Sequence, residues 1–462
     1  MARHFGAIVI GTGQAGPSLA ARLTRAGTTV AIIERGKFGG TCVNTGCIPT
    51  KTLVASAYAA HTARRGAEYG FATPGGVQVD MKRVKARKDE IVARSNKGVE
   101  EWLRGLQNCT VIQGQARFES RRSVTVNGEV LEADKIFINV GGRASIPPMD
   151  GLNEVPFWTN SSIMNVDFVP EHLLIVGGSY IGLEFAQLYR RFGSEVTVVE
   201  MGPRLIGRED EEISNAIREI MEAEGIHVRL NAKCISMFRR GEKIGIGLDC
   251  EEESKEILGT HLLLAVGRVP NTQDLGLDKA GVTMNQRGYI DVDDELRTSV
   301  PGIWALGDCN GHGGFTHTSY NDYEIVAANL LTEDRRRLSD RILTYALFID
   351  PPLGRCGVTE TEVRKSRIPA LVAQHPMSKV SRAVEKGETQ GLIKILVHAE
   401  TKQFLGAAIL GTSGDEVIHV LLDVMYAKGP YTVIQRAMHI HPTVSEFLPT
   451  VLSKLQPMKI EN

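Results

Sequence analysis

An internal repeat in the first half of the chain places the strongest constraint on its fold. Residues 7–36 (AIVIGTGQAGPSLAARLTRAGTTVAIIERG) and 174–202 (LIVGGSYIGLEFAQLYRRFGSEVTVVEMG) share one order: apolar strand, glycine turn, amphipathic helix, apolar strand and acidic residue. The separation from glycine to acidic residue, 23 positions, is the same from Gly11 to Glu34 and from Gly177 to Glu200. Two glycine turns in this context predict two dinucleotide-binding βαβ units.

The first copy contains each glycine that such a unit needs. Gly11 turns the chain, Gly13 lets the backbone approach a pyrophosphate, and Gly16 lets the helix pack against its strand. The N–H groups at the start of the helix bind the phosphates, and the carboxylate of Glu34 accepts hydrogen bonds from a ribose. We therefore predict a dinucleotide-binding site at this copy.

The second copy departs from the pattern at one position. Gly177 and Gly182 correspond to the outer glycines, but Ser179 stands at the middle glycine, where it predicts a slightly looser approach to the phosphates. Two dinucleotides in one chain suggest electron transfer between a nicotinamide and a flavin.

Charge at the end of the second copy indicates which nicotinamide nucleotide binds. The carboxylate of Glu200 would accept hydrogen bonds from a free ribose diol and would repel a 2′-phosphate, which favours NAD(H). Arg204 and Arg208 follow closely and could admit a phosphate. NADP(H) therefore stays possible.

The stretch GGTCVNTGCIPTK at 39–51 contains Cys42 and Cys47, which could be a metal clip, a structural staple or a redox pair. No second cysteine pair at zinc-like spacing follows, so a metal site is disfavoured. Seven cysteines in 462 residues is sparse and odd in number, unlike a secreted disulfide scaffold. Pro49 suits the first turn of a helix, which would place Cys47 at a helix N-terminus and stabilise its thiolate. A disulfide here is therefore expected to be catalytic rather than structural.

Composition excludes several classes of partner. Lys plus Arg total 53 against 54 Asp plus Glu, a formal net charge of -1, which favours neither nucleic acid nor an anionic membrane. No apolar run approaches the roughly 20 residues that span a bilayer, and the N-terminus leads directly into a strand pattern. We expect a cytoplasmic protein.

Five motifs together resemble the class I pyridine nucleotide-disulfide oxidoreductases, the family of glutathione reductase, dihydrolipoamide dehydrogenase and mercuric reductase. They are GGTCVNTGCIPTK (39–51), GGSYIGLE (177–184), AVGRVPNT (265–272), ALGDC (305–309) and HIHPTVSE (439–446). The resemblance implies an α/β fold with two Rossmann-like domains, for FAD and NAD(P), and a C-terminal α+β dimerisation domain. The expected boundaries are 1–145 and 272–340 for the FAD domain, 146–271 for the NAD(P) domain and 341–462 for the dimerisation domain.

The resemblance also implies roles for individual residues. Cys47 would be the thiolate nearer the flavin, and Cys42 the thiol that attacks substrate; the pair Lys51 and Glu184 would lie beside the flavin N5. Tyr180 would be the aromatic gate over the nicotinamide pocket. Further cofactor-binding residues would include Glu34 on the adenosine ribose, Asp308 on the ribitol chain, and Thr41, Gly267, Arg268, Thr316 and His317. For His317, a polar helix cap is an equally good interpretation as tuning of the flavin ring.

The C-terminal motif implies an acid/base couple and a homodimer. His441 and Glu446 resemble the family's His-Glu couple, in which a carboxylate orients an imidazole that protonates the departing thiol. In the family this couple reaches the dithiol of the other subunit. A protein that only senses oxidants has no need of such a proton donor.

The electron acceptor is expected to be a small external disulfide or a metal ion. No cysteine follows Cys356, whereas mercuric reductases have a C-terminal cysteine pair, and they usually carry tyrosine at the position of His441. DPPLGRCG (350–357) is similar to a mercuric-reductase-like bacterial branch that includes cupric reductases. Dihydrolipoamide dehydrogenase and a redox-sensing flavoprotein without turnover remain the alternatives. The other cysteines are expected to be passive, except Cys309, whose role beside Asp308 stays open.

Overall fold

The computed structural model describes residues 2–249 and 255–458. Its first domain is built on a five-stranded parallel sheet whose central strands are buried along their whole length, as a sheet covered on both faces requires. In spatial order the strands are Ile303–Ala305, Ile136–Ile138, Ala7–Ile10, Val30–Glu34 and Cys109–Gln113. A smaller sheet beside it contains Arg3–Phe5, Glu129–Ala133, Ser123–Val126 and Arg117–Ser120. The chain therefore returns to this domain for its edge strand after completing the second domain.

Helices cover the faces of the first sheet and carry most of the residues of interest. The α-helices are Ala15–Arg25, Gly40–Asn44, Cys47–Arg64, Met81–Arg104, Leu277–Ala280 and Thr316–Leu331, and short 3₁₀ turns span Arg65–Tyr69, Gly307–Asn310 and Leu338–Asp340. Asp80 caps the N-terminus of the long polar helix Met81–Arg104 by accepting a hydrogen bond from the backbone N–H of Arg83.

The second domain repeats the pattern on a smaller scale. Its parallel sheet has the order His227–Arg229, Glu195–Val199, His172–Val176 and His261–Leu264, with helices Tyr180–Phe192 and Glu211–Ala223. A three-stranded antiparallel sheet contains Lys233–Arg240, Lys243–Asp249 and Glu256–Gly259, and 3₁₀ turns span Leu152–Glu154 and Ser162–Asn165. The two crossings between the domains, Gly142–Ala144 and Arg268–Pro270, pair as antiparallel strands.

The C-terminal domain is an antiparallel sheet covered by helices. Its six strands have the order Thr344–Leu347, Leu353–Gly357, Phe404–Leu410, Leu392–His398, Ala370–Pro376 and Gln456–Pro457. Its helical segments are Glu360–Ser366, Met377–Lys379, Ser381–Glu385, Gly414–Tyr426, Thr432–Gln435, Ser445–Phe447 and Leu448–Leu452. Two parallel-sheet domains followed by an α+β domain confirm the predicted α/β fold class.

Packing between domains brings distant segments together. Leu53 and Ala57, on the helix that begins at Cys47, share one hydrophobic core with Leu183 and Ala186 of the second domain. The buried guanidinium of Arg191 forms ion pairs with Glu224 and with a residue of the C-terminal domain, Asp350, at 2.7 and 2.8 Å. Within residues 2–249 and 255–458, no helix has both the length and the hydropathy needed to cross a membrane.

Candidate active site

The two predicted glycine turns have the same geometry. Gly11 has φ of 103° and Gly177 has φ of 113°, a region that favours glycine. A Cβ on Gly11 would lie 2.2 Å from the carbonyl oxygen of Asn139, and a Cβ on Gly177 would lie 2.4 Å from that of Ala265. A Cβ on Gly16 or Gly182 would lie 2.2 or 1.9 Å from the carbonyl oxygen of the first glycine in its own turn. Only glycine fits at these four positions, and both turns leave a following helix N-terminus available for phosphate.

Each copy also fixes its carboxylate with hydrogen bonds from its own turn. Glu34 accepts from the backbone N–H and the hydroxyl of Thr12, at 2.9 and 2.6 Å. Glu200 accepts from the backbone N–H groups of Gly178 and Gly202, at 2.6 and 2.7 Å. Both carboxylates are therefore held at the carboxyl ends of their strands, where a ribose binds in such folds.

A cavity of about 910 Å³ is lined by residues of the first glycine turn and by the cysteine pair. Backbone forms its wall beside the glycine turn, where a Cβ on Gly40 would lie 2.8 Å from the Cα of Gly13. The predicted site residues that line it are Gly11, Gly13, Glu34, Thr41, Cys42, Cys47, Lys51, Tyr180, Glu184, Arg268, Asp308, Thr316 and His317. Gly177, Ser179, Gly182, Glu200 and Gly267 belong to the second domain and do not line this cavity.

The cysteine pair lies where two helices begin. Cys47 is the first residue of its helix, and its Sγ is 3.2 Å from the hydroxyl oxygen of Thr316, the first residue of another helix. The hydrogen bond from the Cys42 thiol, aided by Thr316 and the charge of Lys51, lowers the pKa of Cys47 to about 6. The same interaction and burial raise the pKa of Cys42. Near neutral pH this pair holds one thiolate and one thiol.

The other three described cysteines differ from Cys47 because their pKa values are raised and not lowered. Burial raises the pKa of Cys109 to about 11, and those of Cys309 and Cys356 to about 12. The Cys309 thiol is fully buried and donates to the carbonyl of Leu306 at 3.2 Å, facing away from the cavity. The side chain of Cys234, and Cys250 as a whole, lie outside the described part of the structure.

Lys51 and Glu184 meet across the domain boundary. The Lys51 ammonium lies 2.6 and 2.8 Å from the two carboxylate oxygens of Glu184. Phe348 completes the pair, because its backbone N–H donates to Glu184 at 3.1 Å and its ring lies 4.6 Å from the ammonium. Phe348 belongs to none of the sequence motifs, because it contacts Glu184 through its backbone N–H and not through its side chain.

Asp308 points into the cavity from the first domain. Its carboxylate is 3.5 Å from the guanidinium of Arg268, which also donates to the Thr41 hydroxyl at 3.4 Å. Partial burial raises the pKa of Asp308. Arg268 and Asp308 thus form a polar part of the cavity wall next to Thr41.

The sequence motifs do not indicate Asp322, the residue that holds the loop around Asp308 in place. Asp322 is buried behind it and accepts hydrogen bonds from the backbone N–H of Gly307 and the amide of Asn310, at 2.7 and 2.9 Å. Its other oxygen pairs with Arg341. The only available signal was a charged residue on the otherwise buried face of a helix.

His441 and Glu446 are adjacent but lie away from the cavity of their own chain. The Nδ1 of His441 is 2.9 and 3.0 Å from the carboxylate oxygens of Glu446, so this nitrogen carries the proton and Nε2 is left to exchange one. The His441 side chain is 74% exposed, and neither residue lines the cavity.

Comparison with known proteins matches both parts of the chain to family models. Residues 5–323 match the pyridine nucleotide-disulphide oxidoreductase model, and residues 343–452 match the dimerisation domain of the same family. The chain belongs to the pyridine nucleotide-disulphide oxidoreductase family. The predicted family is therefore confirmed.

Relatives within this family cover nearly the whole chain. Probable pyridine nucleotide-disulfide oxidoreductase RclA from Escherichia coli is 36% identical over 97% of this chain and 99% of that protein. Dihydrolipoyl dehydrogenase from Thermus scotoductus is 33% identical (96% of each chain), and mercuric reductase from Streptomyces lividans is 32% identical (95% and 94%). A structure described as the Cu(II) complex of the HOCl-induced flavoprotein disulfide reductase RclA superposes with a TM-score of 0.88 at 35% identity, covering 98% and 99%.

Membership identifies the protein as an FAD- and pyridine nucleotide-dependent enzyme with a dimerisation domain. The residues that line the cavity fit FAD: glycine backbone leaves no room for side chains near Gly13, and the carboxylate of Glu34 and the cysteine pair line the same cavity. A volume of about 910 Å³ is also at the upper end of the usual range for small-molecule sites.

Proposed function

We propose that this enzyme uses NADH to reduce a Cys42–Cys47 disulfide and passes the electrons to a small external disulfide or a metal ion. The observation that carries the proposal is one cavity lined both by the carboxylate of Glu34, beside the first glycine turn, and by a polarised cysteine pair. The proposed roles of individual residues follow from their contacts in this cavity.

The chain's own residues would hold FAD along the cavity. Glu34 would bind the adenosine ribose, the N–H groups after Gly11 the pyrophosphate, and Asp308 the ribitol hydroxyls. When bound, FAD supplies transfer of two electrons from the nicotinamide to the neighbouring disulfide. The positive charge of Lys51, fixed by Glu184, would stabilise negative charge beside the ring.

The cysteines would then divide the exchange chemistry between them. The Cys42 thiol gives its proton to a base and attacks one sulfur of the external disulfide, so a mixed disulfide forms and the other sulfur leaves as a thiolate. Cys47, whose pKa of about 6 keeps it ionised, attacks the Cys42 sulfur, reforms the internal disulfide and releases the second thiolate. The base returns its proton to the first thiolate and water protonates the second, so two electrons and two protons reach the substrate in each turnover.

His441 of the partner subunit would be the base that takes and returns the proton. This assignment is supported by the exposed Nε2 of an imidazole that Glu446 orients through Nδ1. It requires a homodimer. Subunit exchange between two inactive variants, Cys42→Ser and His441→Ala, should restore about a quarter of the activity, since half the dimers are hybrids with one intact site each. Verified exchange without recovery would show that His441 does not act across the interface.

NADH is proposed as the preferred reductant because of Glu200. Its carboxylate is fixed at the end of the second strand of its βαβ unit, where a 2′-phosphate would meet a negative charge. Arg208 carries a positive charge that could attract a 2′-phosphate. Its guanidinium lies 5.5 Å from the ring centre of Tyr180, and this contact competes with any contact to a phosphate.

Two acceptor classes are supported by different observations. A relative's structure is described as a Cu(II) complex, and a dithiol can deliver one electron to each of two copper(II) ions. Lipoamide, a small disulfide, is the second candidate, because the hydrogen-bonded His441–Glu446 couple suits proton transfer to and from a thiol, and one relative named above is a dihydrolipoyl dehydrogenase.

An anaerobic stopped-flow panel tests the proposal. Enzyme reduced with NADH is mixed with lipoamide, glutathione disulfide, copper(II), mercury(II) or a quinone, and flavin reoxidation is followed. We expect rapid reoxidation by a disulfide or a metal ion that Cys42→Ser abolishes and the control Cys109→Ser retains. Reoxidation by quinone alone, unchanged in Cys42→Ser, would contradict a role for the dithiol.

A further inference from the structure

Four aromatic rings form one wall of the cavity near Lys51. His317, Phe315 and Tyr345 are stacked in a column, with centroid separations of 5.3 and 5.6 Å and interplanar angles of 11° and 12°. Tyr180 stands edge-on to this column, 5.6 Å from Phe315 and 5.4 Å from Tyr345, at angles of 89° and 83°. Edge-to-face contacts of this kind are favourable, so the column offers Tyr180 a defined resting position.

The column is anchored at both ends. The Nε2 of His317 bonds to the carbonyl oxygen of Thr344 at 2.7 Å. At the other end, the hydroxyl of Tyr345 donates to the carboxylate of Glu209. Burial and the neighbouring carboxylate raise the pKa of Tyr345, so this hydroxyl keeps the proton it donates. Neither Tyr345 nor Glu209 belongs to a sequence motif.

Glu209 is itself immobilised by charge. Its side chain is fully buried, and its second carboxylate oxygen lies 3.2 Å from the guanidinium of Arg355, which is 1% exposed. Arg355 also pairs with Asp210 at 3.4 Å, so the cluster joins the second domain to the C-terminal domain. A buried charge held from both domains cannot follow Tyr345 if that ring moves.

We propose that Tyr345, held by Glu209, is a positioning residue that keeps the Tyr180 ring closed over the nicotinamide site until the nucleotide binds. The inference rests on the proposed function and on the role that the family resemblance implies for Tyr180, a gate over the nicotinamide pocket. A nucleotide that enters must break the edge contacts of Tyr180, so those contacts reduce its apparent affinity. Arg208, whose guanidinium lies 5.5 Å from the centre of this ring, is exposed and can move with it.

The test measures nucleotide affinity and flavin exposure in the holoenzyme dimer. Tyr345→Leu removes the ring edge contact and should lower the dissociation constant of NAD⁺ by about 2- to 10-fold in equilibrium dialysis. It should also increase collisional quenching of flavin fluorescence by iodide. Tyr345→Phe keeps the ring but loses the hydrogen bond to Glu209. Its NAD⁺ dissociation constant and its iodide quenching should therefore fall between those of Tyr345→Leu and wild type. Wild-type values in both variants would overturn the proposal.

Two further variants separate this inference from the proposed function. Tyr58→Phe is the matched control, because the Tyr58 hydroxyl also donates to a carboxylate, Glu388 at 2.9 Å, but lines no part of the cavity; it should behave as wild type. Tyr180→Ala should itself increase iodide quenching. If it does and Tyr345→Leu does not, only the positioning role is wrong. If Tyr180→Ala changes neither measurement, the nicotinamide does not bind at Tyr180 and this inference fails, whereas the proposed function is judged separately by the stopped-flow panel.

Discussion

Replacing Cys42 by alanine or by serine should have different effects on the reactivity of Cys47. The hydrogen bond from Cys42 is the largest cause that lowers the Cys47 pKa from an ordinary 9.0 to about 6. A serine hydroxyl can still donate to the thiolate, whereas an alanine methyl group cannot. We therefore expect the Cys47 pKa to stay near 6 in Cys42→Ser and to rise toward 9 in Cys42→Ala. Thr316 and Lys51 keep it below that limit.

The size of the effect follows from the thiolate fraction. At pH 7 a thiol with a pKa of about 6 is roughly nine-tenths ionised, and one with a pKa of 9.0 is roughly one-hundredth ionised. A thiolate that is less basic by three pKa units is intrinsically slower by roughly 15- to 30-fold in disulfide exchange. The net prediction is a rate at pH 7 that is roughly 3- to 6-fold faster for the low-pKa thiol, reversing to a slower plateau above pH 9.

A pyridyl disulfide reagent measures this rate from pH 4 to 10, with Cys42→Ser/Cys47→Ser as the blank for other cysteines. Cys42→Ser should give a midpoint near pH 6, and Cys42→Ala a higher midpoint with a faster alkaline plateau. Equal midpoints in the two variants would refute the argument that the neighbouring donor sets the Cys47 pKa.

Three further predictions concern other parts of the site. Glu200→Arg should shift kcat/KM from NADH toward NADPH, and a native preference for NADPH would contradict the role of Glu200. Glu184→Gln should leave Lys51 without its partner charge and lower the free energy of unfolding by about 1–3 kcal/mol in thermal denaturation; no change would mean that the ion pair contributes no net stability. His441→Ala should slow disulfide reduction by about 10²–10⁴-fold and leave the NADH half-reaction nearly intact. Glu446→Gln should lose less, because it orients the imidazole without exchanging the proton; equal loss would show that the carboxylate takes a direct part.

Local features of this molecule could be predicted from the sequence because neighbouring residues determine them. The glycines at 11 and 177 and the carboxylates of Glu34 and Glu200 belong to short βαβ units, so a repeated spacing reveals them. The start of a helix at Cys47 follows from Pro49 in the same way. The α/β fold class follows from the two βαβ units, and the structure confirms it.

Contacts between distant segments could not be predicted from local pattern. Lys51 and Glu184 are 133 residues apart, and only the resemblance to a family brought them together. The partnership of Glu209 with Tyr345, across 136 residues, has no motif and depends on how two domains pack. The domain boundaries, the roles of the site residues and the position of His441 in a dimer stay predictions.

The central claim, that reducing equivalents from NADH reach Cys42 and Cys47, can be tested by mapping thiols after a single reduction. The oxidised enzyme is mixed anaerobically with one equivalent of NADH, quenched in denaturant with an alkylating reagent, and digested for mass spectrometry. The account predicts that alkylation increases at Cys42 and Cys47 together and is unchanged at Cys109. Consumption of NADH without new alkylation at either cysteine would contradict it.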